Sequence, residues 1–443
     1  MKFRVERDVL GEAVAWVARA LATRPVVPVL SGLLVQADAR GLVLSCFDYE
    51  VSARAVVPAE VGEPGTALVP GRLLAEITRN LPPAQVEVTS VADMIMLTCG
   101  SAEFAVVSLP LDEYPKLPEL PEIVGTVDGG VLAVAAAQVV PSASRDDTLP
   151  MLTGVCLDFD GDAIAMAATD RYRLAVATIG WDPADTDIRA SALVPARTLA
   201  DIAKTMGPGI PVTIAFGKPA VDGTRPADGM ISFEGGGRRL TARLIGGEFI
   251  KYESRFPADF GYSAELPAGP FTEAVRRVSL VADRTSPVQL GFRQDTVVVE
   301  ARSDGRARAV ESVACRFTGA EQVISFNPHY LLDGLAAAAL CGHGRTATGA
   351  PGTDAAETGG HPPGRIRLDF TSAAKPALVT WTEGGGSGAD DEAASDEAAL
   401  DGNGLAAGEP PTATASLPSA SYQAARASAF RYLVVPLRAQ AGG

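Results

Sequence analysis

The sequence predicts an α+β protein made of three copies of one module, and repetition along the chain carries this prediction. Residues 68–77 return as 193–202 and, more loosely, as 325–335. Successive copies lie roughly 125 to 130 residues apart, the length of a whole domain and far longer than a solenoid repeat. A chain of 443 residues, 47% of them hydrophobic, has the length and apolar content for about three such domains.

Two further groups of segments repeat in the same order, so chance similarity is a poor explanation. One group comprises residues 24–34, 147–157 and, weakly, 285–292. The other follows it in each module, at residues 46–56, 168–178 and 302–310. We therefore expect three modules, at residues 1–123, 124–259 and 260–443.

Apolar residues at helical spacing predict two amphipathic helices in the first module. One covers about residues 8–21 with Asp8 as its N-cap, and the other covers 71–80. The second pattern recurs after residue 196, and a helix entered through Pro270 opens the third module. The apolar positions expected to face the core are Val14, Val17, Ala18 and Leu21; Leu73, Leu74, Ile77 and Leu81; Leu199, Ile202, Ala203 and Met206; and Phe271, Ala274, Val275 and Val278.

Short β-rich runs lie between these helices, at residues 55–57, 86–88, 94–97, 212–214 and 296–299. Hairpin-turn composition is found at Asp160-Gly161, Gly235-Gly236-Gly237 and Gly246-Gly247. Each module is therefore expected to contain an antiparallel sheet faced by two helices.

Two segments of the third module have almost no large apolar residues. Residues 342–364 are rich in Gly, Thr and Pro, and residues 384–421 are rich in Gly, Ala and acidic side chains. Such segments bury too little surface to offset the entropy lost on ordering, so we predict disordered insertions. Strand character resumes at residues 429–437.

Composition also bears on the cellular compartment. The first eight residues are charged where a signal peptide needs apolar residues, and the apolar run at 131–140 is too short to span a membrane. The cysteines are widely spaced, without a CxxC pair, which favours buried strand thiols in a reducing cytosol over disulfides or zinc. They are Cys46, Cys99, Cys156, Cys315 and Cys341. We expect a cytoplasmic protein with no membrane contact.

No catalytic or cofactor-binding pattern is found. Two of the three histidines fall in a low-complexity insertion, and the third, His329, starts a helix beside a proline. The acidic residues in 158–162 have the spacing that opens a calcium loop, but Ala163 and Thr169 occupy positions that require Gly and Glu. Neither a P-loop nor a dinucleotide fingerprint occurs. We therefore expect no catalytic residue, no metal and no cofactor.

The net charge of −15 argues superficially against a nucleic-acid partner, yet the placement of the positive charges matters more than their sum. Arg72 and Arg79 lie two turns apart on one helix, roughly opposite its apolar residues, and Arg197 and Lys204 repeat that spacing. An ordinary solvated helix face explains either helix alone. Recurrence in two modules favours a shared basic surface.

Other basic residues extend this pattern: Arg24 and Arg145 precede the repeated strands, and Arg276, Arg277 and Arg284 lie on or just after the opening helix of the third module. Long cationic side chains suit sequence-independent contact with phosphates. Few aromatic residues interleave with them, so contact with a duplex backbone is favoured over stacking on single strands.

Five motifs spread over the three modules point to one family. They are MKFRVER at 1–7, RPxxPVL at 24–30, TDRYRLAV at 169–176, FNPxYLLD at 326–333 and YLVVPLR at 432–438. In these motifs the chain resembles the bacterial β sliding clamp, the processivity subunit of DNA polymerase III. The resemblance covers the whole chain apart from the two insertions, and its form is actinobacterial-like with insertions in the third domain.

The resemblance implies three DNA-clamp domains per chain and a head-to-tail homodimer that closes into a six-domain ring. Antiparallel sheets would lie outside and two helices per domain inside, around double-stranded DNA bound without sequence specificity. An acidic outer rim and a basic inner wall would reconcile the net charge with DNA. The implied partners are the DNA polymerase III alpha subunit, the clamp-loader complex, and other polymerases and repair proteins that bind through short linear peptides. The implied location is the cytoplasm, at the nucleoid.

The resemblance also assigns sites. The implied DNA-binding positions are Arg24, Arg72, Arg79, Arg145, Asp146, Pro150, Met151, Arg197 and Lys204. The implied client-peptide cleft comprises Leu152, Thr169, Arg171, Tyr172, Arg173, Leu174, Ile250, Ser254, Arg255, Pro376, Leu433, Val434, Val435, Pro436 and Leu437. The implied dimer interface comprises Phe104, Val106, Leu109, Arg277 and Leu280.

Several residues depart from the family pattern. Ile250 stands where the family often has Pro, Ser254 replaces a common basic residue, and Asp146 puts an acid near DNA. The tail after Arg438 follows the cleft residues directly, so we expect it to obstruct the cleft in part. These departures keep a second hypothesis open, in which the chain is a divergent clamp paralogue that acts as a protein-interaction scaffold.

Overall fold

The computed structural model describes residues 1–217, 229–283, 286–303, 306–343, 364–383 and 430–437. The chain divides into two compact units, Met1–Lys251 and Tyr252–Gly443. The expected insertions lie outside the described residues except at their margins, and so does the tail from Arg438. Helices within the described ranges are α1 (Arg7–Ala18), α2 (Gly71–Asn80), α3 (Gly129–Val139), α4 (Ala196–Thr205), α5 (Ala268–Ser279) and α6 (Pro328–His343).

The described residues of the first unit form β1 (Lys2–Glu6), β2 (Gly32–Asp38), β3 (Gly41–Phe47), β4 (Val51–Val57), β5 (Glu60–Glu63), β6 (Gly65–Pro70), β7 (Gln85–Val91), β8 (Met94–Cys99), β9 (Ala102–Val107), β10 (Ile123–Asp128), β11 (Gly154–Asp160), β12 (Ala163–Thr169), β13 (Arg173–Gly180), β14 (Asp182–Pro183), β15 (Arg189–Pro195), β16 (Pro211–Phe216), β17 (Met230–Gly235) and β18 (Arg238–Arg243). Their order is β5-β1-β7-β8-β9, then β14-β10-β16-β17-β18-β4-β3-β2-β6, and β15-β11-β12-β13. The pairing of β4 with β18 is antiparallel and makes one sheet continuous between the first and second modules.

The second unit contains β19 (Tyr262–Pro267), β20 (Val288–Arg293), β21 (Thr296–Ser303), β22 (Ala307–Ala314), β23 (Arg316–Thr318), β24 (Gln322–Phe326), β25 (Gly364–Phe370), β26 (Ala377–Glu383) and β27 (Phe430–Val434). These strands follow the orders β27-β26-β25-β19-β23 and β22-β21-β20-β24. Stacked aromatic rings fill its core, with Tyr262 and Phe370 at 4.9 Å and Phe292 and Phe317 at 5.0 Å between centroids. Aromatic burial of this kind supplies much of a core's stabilisation.

The predicted helix α2 has the observed bounds, because its apolar positions Leu74 and Ile77 are buried at helical spacing. Three details were wrong. Leu73 is 45% exposed, Asp8 lies inside the first turn of α1 while Glu6 precedes the helix, and Pro270 is the third residue of α5. Capping and entry depend on backbone geometry that apolar periodicity does not fix.

The structure corrects the alignment of one repeated segment. Strands β2 and β11 begin at Gly32 and Gly154, which shifts the sequence-based alignment of this segment by one residue. The turns at Asp160-Gly161 and Gly235–Gly237 join consecutive strands, as predicted. The Gly246-Gly247 prediction was wrong, because this pair follows β18 in an irregular segment that does not return directly into a strand.

The cysteine prediction was correct in part. Cys46, Cys99 and Cys156 are buried strand residues, and Cys315 is buried between β22 and β23. Cys341 lies instead in α6, where it is partly exposed. All five are thiols outside any disulfide, and burial raises the pKa of Cys46 to about 12, which keeps that thiol protonated at neutral pH.

Candidate functional site

Helices α2 and α4 present the predicted basic side chains to solvent. Each helix buries its apolar face and exposes the opposite, polar face, and in neither helix does a side chain cap the N-terminus. Arg72 and Arg79 on α2, and Arg197 and Lys204 on α4, are all exposed. The shared periodicity of the two repeats therefore places equivalent cations on equivalent surfaces.

Three of these arginines border one cavity of about 390 Å³ within the first unit. Arg72, Arg79 and Arg197 line it together with Arg19, which directly follows α1. Lys204 is not among the lining residues, although its spacing from Arg197 predicts a common face. Arg19 was not predicted as a site residue, although its position at the carboxyl end of the first helix could have indicated it.

Arg72 is held in place by the backbone of the segment that follows α1. One of its terminal nitrogens donates to the carbonyl oxygens of Leu21 and Ala22, at 3.4 and 3.3 Å. Cations are favoured near the carboxyl end of a helix, where backbone carbonyls point outward. This contact fixes the guanidinium at the cavity wall.

A cluster of side chains joins α1 to the second module beside this cavity. The indole nitrogen of Trp16 donates to Thr205 Oγ1 at 2.8 Å, and Thr205 itself donates to the carbonyl of Asp201. Arg238 lies over the Trp16 ring at 5.7 Å and forms an ion pair with Glu12. These contacts hold α1 against α4, so arginines of two modules face the same space.

The other implied DNA-binding residues lie on two exposed loops. Arg24 and Arg145 are both exposed, and Met151 is 36% exposed in a short 3₁₀ helix that begins at Pro150. The carboxylate of Asp146 accepts from the backbone nitrogen and hydroxyl of Thr148. These hydrogen bonds lower the pKa of Asp146 and give the carboxylate a local role in shaping its loop.

The basic residues of the third module are neutralised locally. Arg276 pairs with Glu273 one turn earlier on α5, and Arg277 pairs with Glu311 on β22 at 2.5 Å. The hydrogen bond from Arg277 also lowers the pKa of Glu311. These two arginines are therefore charge-paired within their own unit. Arg284 lies outside the described residues.

The segment 169–174 forms a turn organised by one carboxylate. Asp170 Oδ1 accepts from the backbone nitrogens of Tyr172 and Arg173, each at 3.0 Å. Asp170 Oδ2 accepts from Arg173 Nε at 2.9 Å in a largely buried ion pair. Thr169 Oγ1 donates to the carbonyl of Arg173 and accepts from the backbone nitrogen of Arg171. The turn is thereby fixed from both ends.

This turn holds Arg171 in the left-handed region, at φ 79°, and directs Tyr172 outward with 52% of its surface exposed. Leu152 and Leu174 are buried. The first module has an equivalent turn, in which Asp48 Oδ1 accepts from the backbone nitrogens of Glu50 and Val51. Tyr49 in this turn also has a positive φ, of 74°. Such backbone strain in a non-glycine residue persists where surrounding contacts enforce it.

The remaining implied cleft residues differ in exposure. Leu433, Val434 and Pro436 are buried, whereas Val435 is half-buried and Leu437 is 36% exposed. Leu437 donates its backbone nitrogen to the carbonyl of Ser325, which fixes the end of this strand segment. In the same unit, Ser254 and Arg255 are exposed in a 3₁₀ helix and Pro376 is half-buried; in the first unit, Ile250 is half-buried.

The implied dimer residues also differ in their surroundings. Phe104 is half-buried and Val106 is buried on β9, and Leu109 packs on a cluster that includes Val29 and Leu68. Leu280, after α5, is 83% exposed. Both β9 and β22 pair with only one strand in the described chain and so carry unpaired edges.

Two classes of site are not found in the described residues. No group of three or more His, Cys, Asp or Glu side chains there could hold a metal ion. Across the same ranges, no helix has the length and apolar character needed to span a membrane.

Comparison with known proteins agrees with this architecture. Family models for the N-terminal, central and C-terminal domains of the DNA polymerase III beta subunit match residues 1–118, 126–251 and 253–340. The beta sliding clamp of Streptomyces coelicolor is 51% identical over 337 residues, covering 76% of this chain and 88% of that protein. The beta sliding clamp of Micrococcus luteus is 46% identical over 315 residues, covering 71% and 99%.

The crystal structure of the Bacillus subtilis DNA polymerase sliding clamp shares the fold, with a TM-score of 0.76 at 22% identity over 99% of this chain and 100% of that one. Three repeated α+β domains of this kind define a DNA sliding clamp. The chain belongs to the DNA polymerase III beta subunit family, and its relatives place it with the actinobacterial clamps.

Proposed function

We propose that the chain is a non-catalytic processivity subunit that encircles duplex DNA and tethers the replication machinery to it. The observation that carries this proposal is the recurrence of exposed basic residues on α2 and α4, three of which border one cavity. Phosphate contacts made by such side chains carry no sequence information and are weakened by salt. A ring that holds DNA topologically needs only contacts of this weak kind.

The ring requires two copies, and we propose that β9 of one chain pairs with β22 of the next, head to tail. Each strand has an unpaired edge in the described chain, and an edge of this kind is a template for pairing with another chain. Leu280 and the Arg277–Glu311 ion pair lie on or beside this face of the second unit. With Phe104, Val106 and Leu109 near the β9 edge, these residues form the proposed interface.

We also propose that client proteins bind through short peptides, and that two segments supply contacts: the turn at 169–174 in the first unit, and the segment 433–437 in the second. The exposed Tyr172 ring and the accessible parts of Val435 and Leu437 offer apolar contact, and Arg171 offers a cation. The clients would include the DNA polymerase III alpha subunit, the clamp loader and other polymerases and repair proteins. The protein would work in the cytoplasm, at the nucleoid.

Retention on DNA tests encirclement directly. The chain is loaded onto nicked circular DNA with a matching clamp loader and ATP, and gel filtration follows before and after the DNA is linearised. We expect salt-resistant co-elution with circles that disappears on linear DNA. Absence of retention on circles with an active loader would instead favour the protein-interaction scaffold.

Charge reversal tests the basic surface in the same assay. A variant combining Arg24→Glu, Arg72→Glu and Arg197→Glu should lose most loading or retention, because exposed phosphate contacts become repulsive. Arg40→Glu is the control, since Arg40 is exposed in the first module and forms an exposed ion pair with Asp38. Equal retention of the triple variant and wild type would contradict the assignment.

Peptide binding has its own test. Val435→Asp and Tyr172→Ala should each weaken binding of a fluorescent client peptide, whereas Tyr49→Ala should not, although Tyr49 is similarly exposed in the equivalent turn of the first module. Charged replacement of Leu174 is less informative because that side chain is buried. Unchanged affinity in both cleft variants would remove these residues from the site.

A further inference from the structure

The cavity bordered by α2 and α4 has dimensions that suit a small ligand better than a duplex. Its volume of about 390 Å³ falls within the usual range of small-molecule sites. The major groove of B-DNA alone is about 12 Å wide and the duplex is wider than its groove, so a space of this volume is too small to admit a duplex. Contact with DNA therefore leaves the interior of the cavity unexplained.

The four arginines at the cavity wall form no ion pair with a side chain in the described part of the chain. Arg72 is fixed by backbone carbonyls, and Arg19, Arg79 and Arg197 form no ion pair within the described ranges. Several like charges around one space repel one another, and a bound polyanion removes that repulsion. Arginine is also the side chain best suited to phosphate oxygens, which it contacts through paired N–H donors.

Carboxylates in the same wall narrow the choice of ligand. Asp48, Glu76 and Asp201 line the cavity. Asp48 accepts from the backbone nitrogens of Glu50 and Val51, and in the described part of the chain neither Glu76 nor Asp201 forms an ion pair with the arginines beside it. A bare polyphosphate would be repelled by all three. A magnesium ion chelated by phosphate would be attracted, because Mg²⁺ in proteins is typically held by substrate phosphates plus one or two carboxylates and several waters.

We propose that this cavity binds a magnesium-chelated di- or triphosphate group. Arg19, Arg79 and Arg197 contact the phosphate oxygens, and Glu76 and Asp201 face the chelated ion directly or through its waters. The chemistry is shared by inorganic diphosphate and by a nucleoside triphosphate, and the two are separated by experiment. The proposal concerns the protein without DNA and does not depend on ring closure or on the peptide site.

Isothermal titration of the full-length, DNA-free protein tests the proposal with two probes, magnesium diphosphate and magnesium ATP. Saturable binding of either probe is expected, and binding of magnesium ATP alone would identify a nucleotide as the source. Arg79→Gln and Arg197→Gln should each weaken binding by about tenfold, the effect of losing one charge-assisted contact. Both residues are exposed on helices, so folding is preserved, and Arg40→Gln is the matched control expected to bind normally.

The paired variant Glu76→Gln with Asp201→Asn decides between a chelate and a bare anion. Loss of the carboxylates weakens binding of a magnesium chelate but strengthens binding of a metal-free polyphosphate. If this variant binds the magnesium probes more tightly than the wild type does, or if the wild type binds diphosphate or ATP with unchanged affinity after magnesium is removed with EDTA, the chelate is overturned. The site itself would be overturned if magnesium sulfate at equal ionic strength gave the same binding heats as the two probes. Wild-type affinity of both arginine variants for the probes would overturn it as well. DNA retention is measured separately, so failure here leaves the proposed clamp function standing.

Discussion

Asp170 is the residue on which the exposed turn of the second module depends. Its carboxylate accepts two backbone N–H groups and forms a largely buried ion pair with Arg173. Removing one partner of a buried pair leaves the other charge uncompensated, which is far more costly than losing a surface pair. The turn therefore combines local stability with the display of Arg171 and Tyr172.

We predict that Asp170→Ala lowers the free energy of unfolding by about 3 kcal/mol, because Arg173 and two backbone donors lose their acceptor. Client-peptide affinity should fall as well. Urea unfolding and peptide titration measure the two effects. Asp38→Ala serves as the control: the Asp38–Arg40 pair is exposed, and its loss should change stability by at most about 0.5 kcal/mol. Similar losses in the two variants would show that the turn is not organised as described.

Trp16 connects the first two modules through one directional hydrogen bond. Trp16→Phe keeps most of the ring but removes the donor to Thr205, which still donates to Asp201. We expect a loss of about 1 kcal/mol in the free energy of unfolding, the usual net value of a neutral hydrogen bond. A double-mutant cycle with Thr205→Val, read by thermal unfolding, should show coupling between the two positions; additive effects would contradict the contact.

Glu300 gives the second unit a defined sensitivity to acid. The hydrogen bond from Arg308, assisted by Arg302 and opposed by partial burial, holds the pKa of Glu300 below its ordinary value of 4.5. A carboxylate whose pKa is lowered on folding contributes stability above its unfolded pKa and loses it as the pH falls through the folded value. We predict that Glu300→Gln is less stable than wild type at neutral pH and that the difference shrinks below about pH 4.5. Unfolding titrations at several pH values measure it, and a constant difference down to pH 2 would contradict the prediction.

Among the helices, glycine marks where packing overrides helix propensity. Gly334 in α6 lies so close to Tyr432 that an added Cβ would be 2.4 Å from its ring, whereas at Gly11 in α1 the nearest atom would be 3.6 Å away. We expect Gly334→Ala to lower the thermal midpoint through overpacking and Gly11→Ala to raise it by replacing a poor helix former. A rise in both thermal midpoints would show that α6 and the Tyr432 ring can move apart to accommodate the added methyl group.

The helices α2 and α4 were predictable because each has a single buried face with a regular apolar spacing. The error at Leu73 arose at the margin of the apolar stripe. Leu73, Leu74 and Ile77 fall within about 100° of the helix circumference, so spacing alone assigns all three to one buried face, yet Leu73 at the edge of that arc is 45% exposed. Sequence also missed α3, whose nearly uniform apolar composition lacks a clear period, although Asp128 caps it by accepting from the Val131 nitrogen. Turn residues at positive φ, Tyr49 and Arg171, carry no glycine signal and became evident only in the structure.

At the candidate site, helical spacing predicted that Arg72 and Arg79 share one face of α2, and the recurrence of that spacing at Arg197 and Lys204 favoured a shared basic surface. It could not show that the two helices border one cavity, because that depends on contacts between distant segments such as Trp16 and Thr205. Neutralisation of Arg277 by Glu311 was hidden for the same reason, since 34 residues separate the pair.

At the level of the whole molecule, the proposed dimer makes a separate prediction. Val107, 57% exposed at the end of β9, is next to the edge that should pair with β22. Val107→Glu should shift the protein from dimer to monomer in sedimentation experiments, because pairing would desolvate the new charge. Val91→Glu is the matched control, since Val91 is 58% exposed at the end of β7, an interior strand of the same sheet. Dissociation by both variants, or by neither, would exclude β9 as the interface.

The continuous sheet formed through β4 and β18 limits how far a repeat can be independent of its neighbour. An isolated first module, cut after residue 118, would expose the hydrogen-bonding groups of β4 and leave the indole of Trp16 without its acceptor. The first two modules therefore depend on each other for folding although their sequences repeat. Exchanging or removing one of them breaks the shared sheet, so we expect this protein to tolerate changes in its loops and at its ends better than exchange of its repeats.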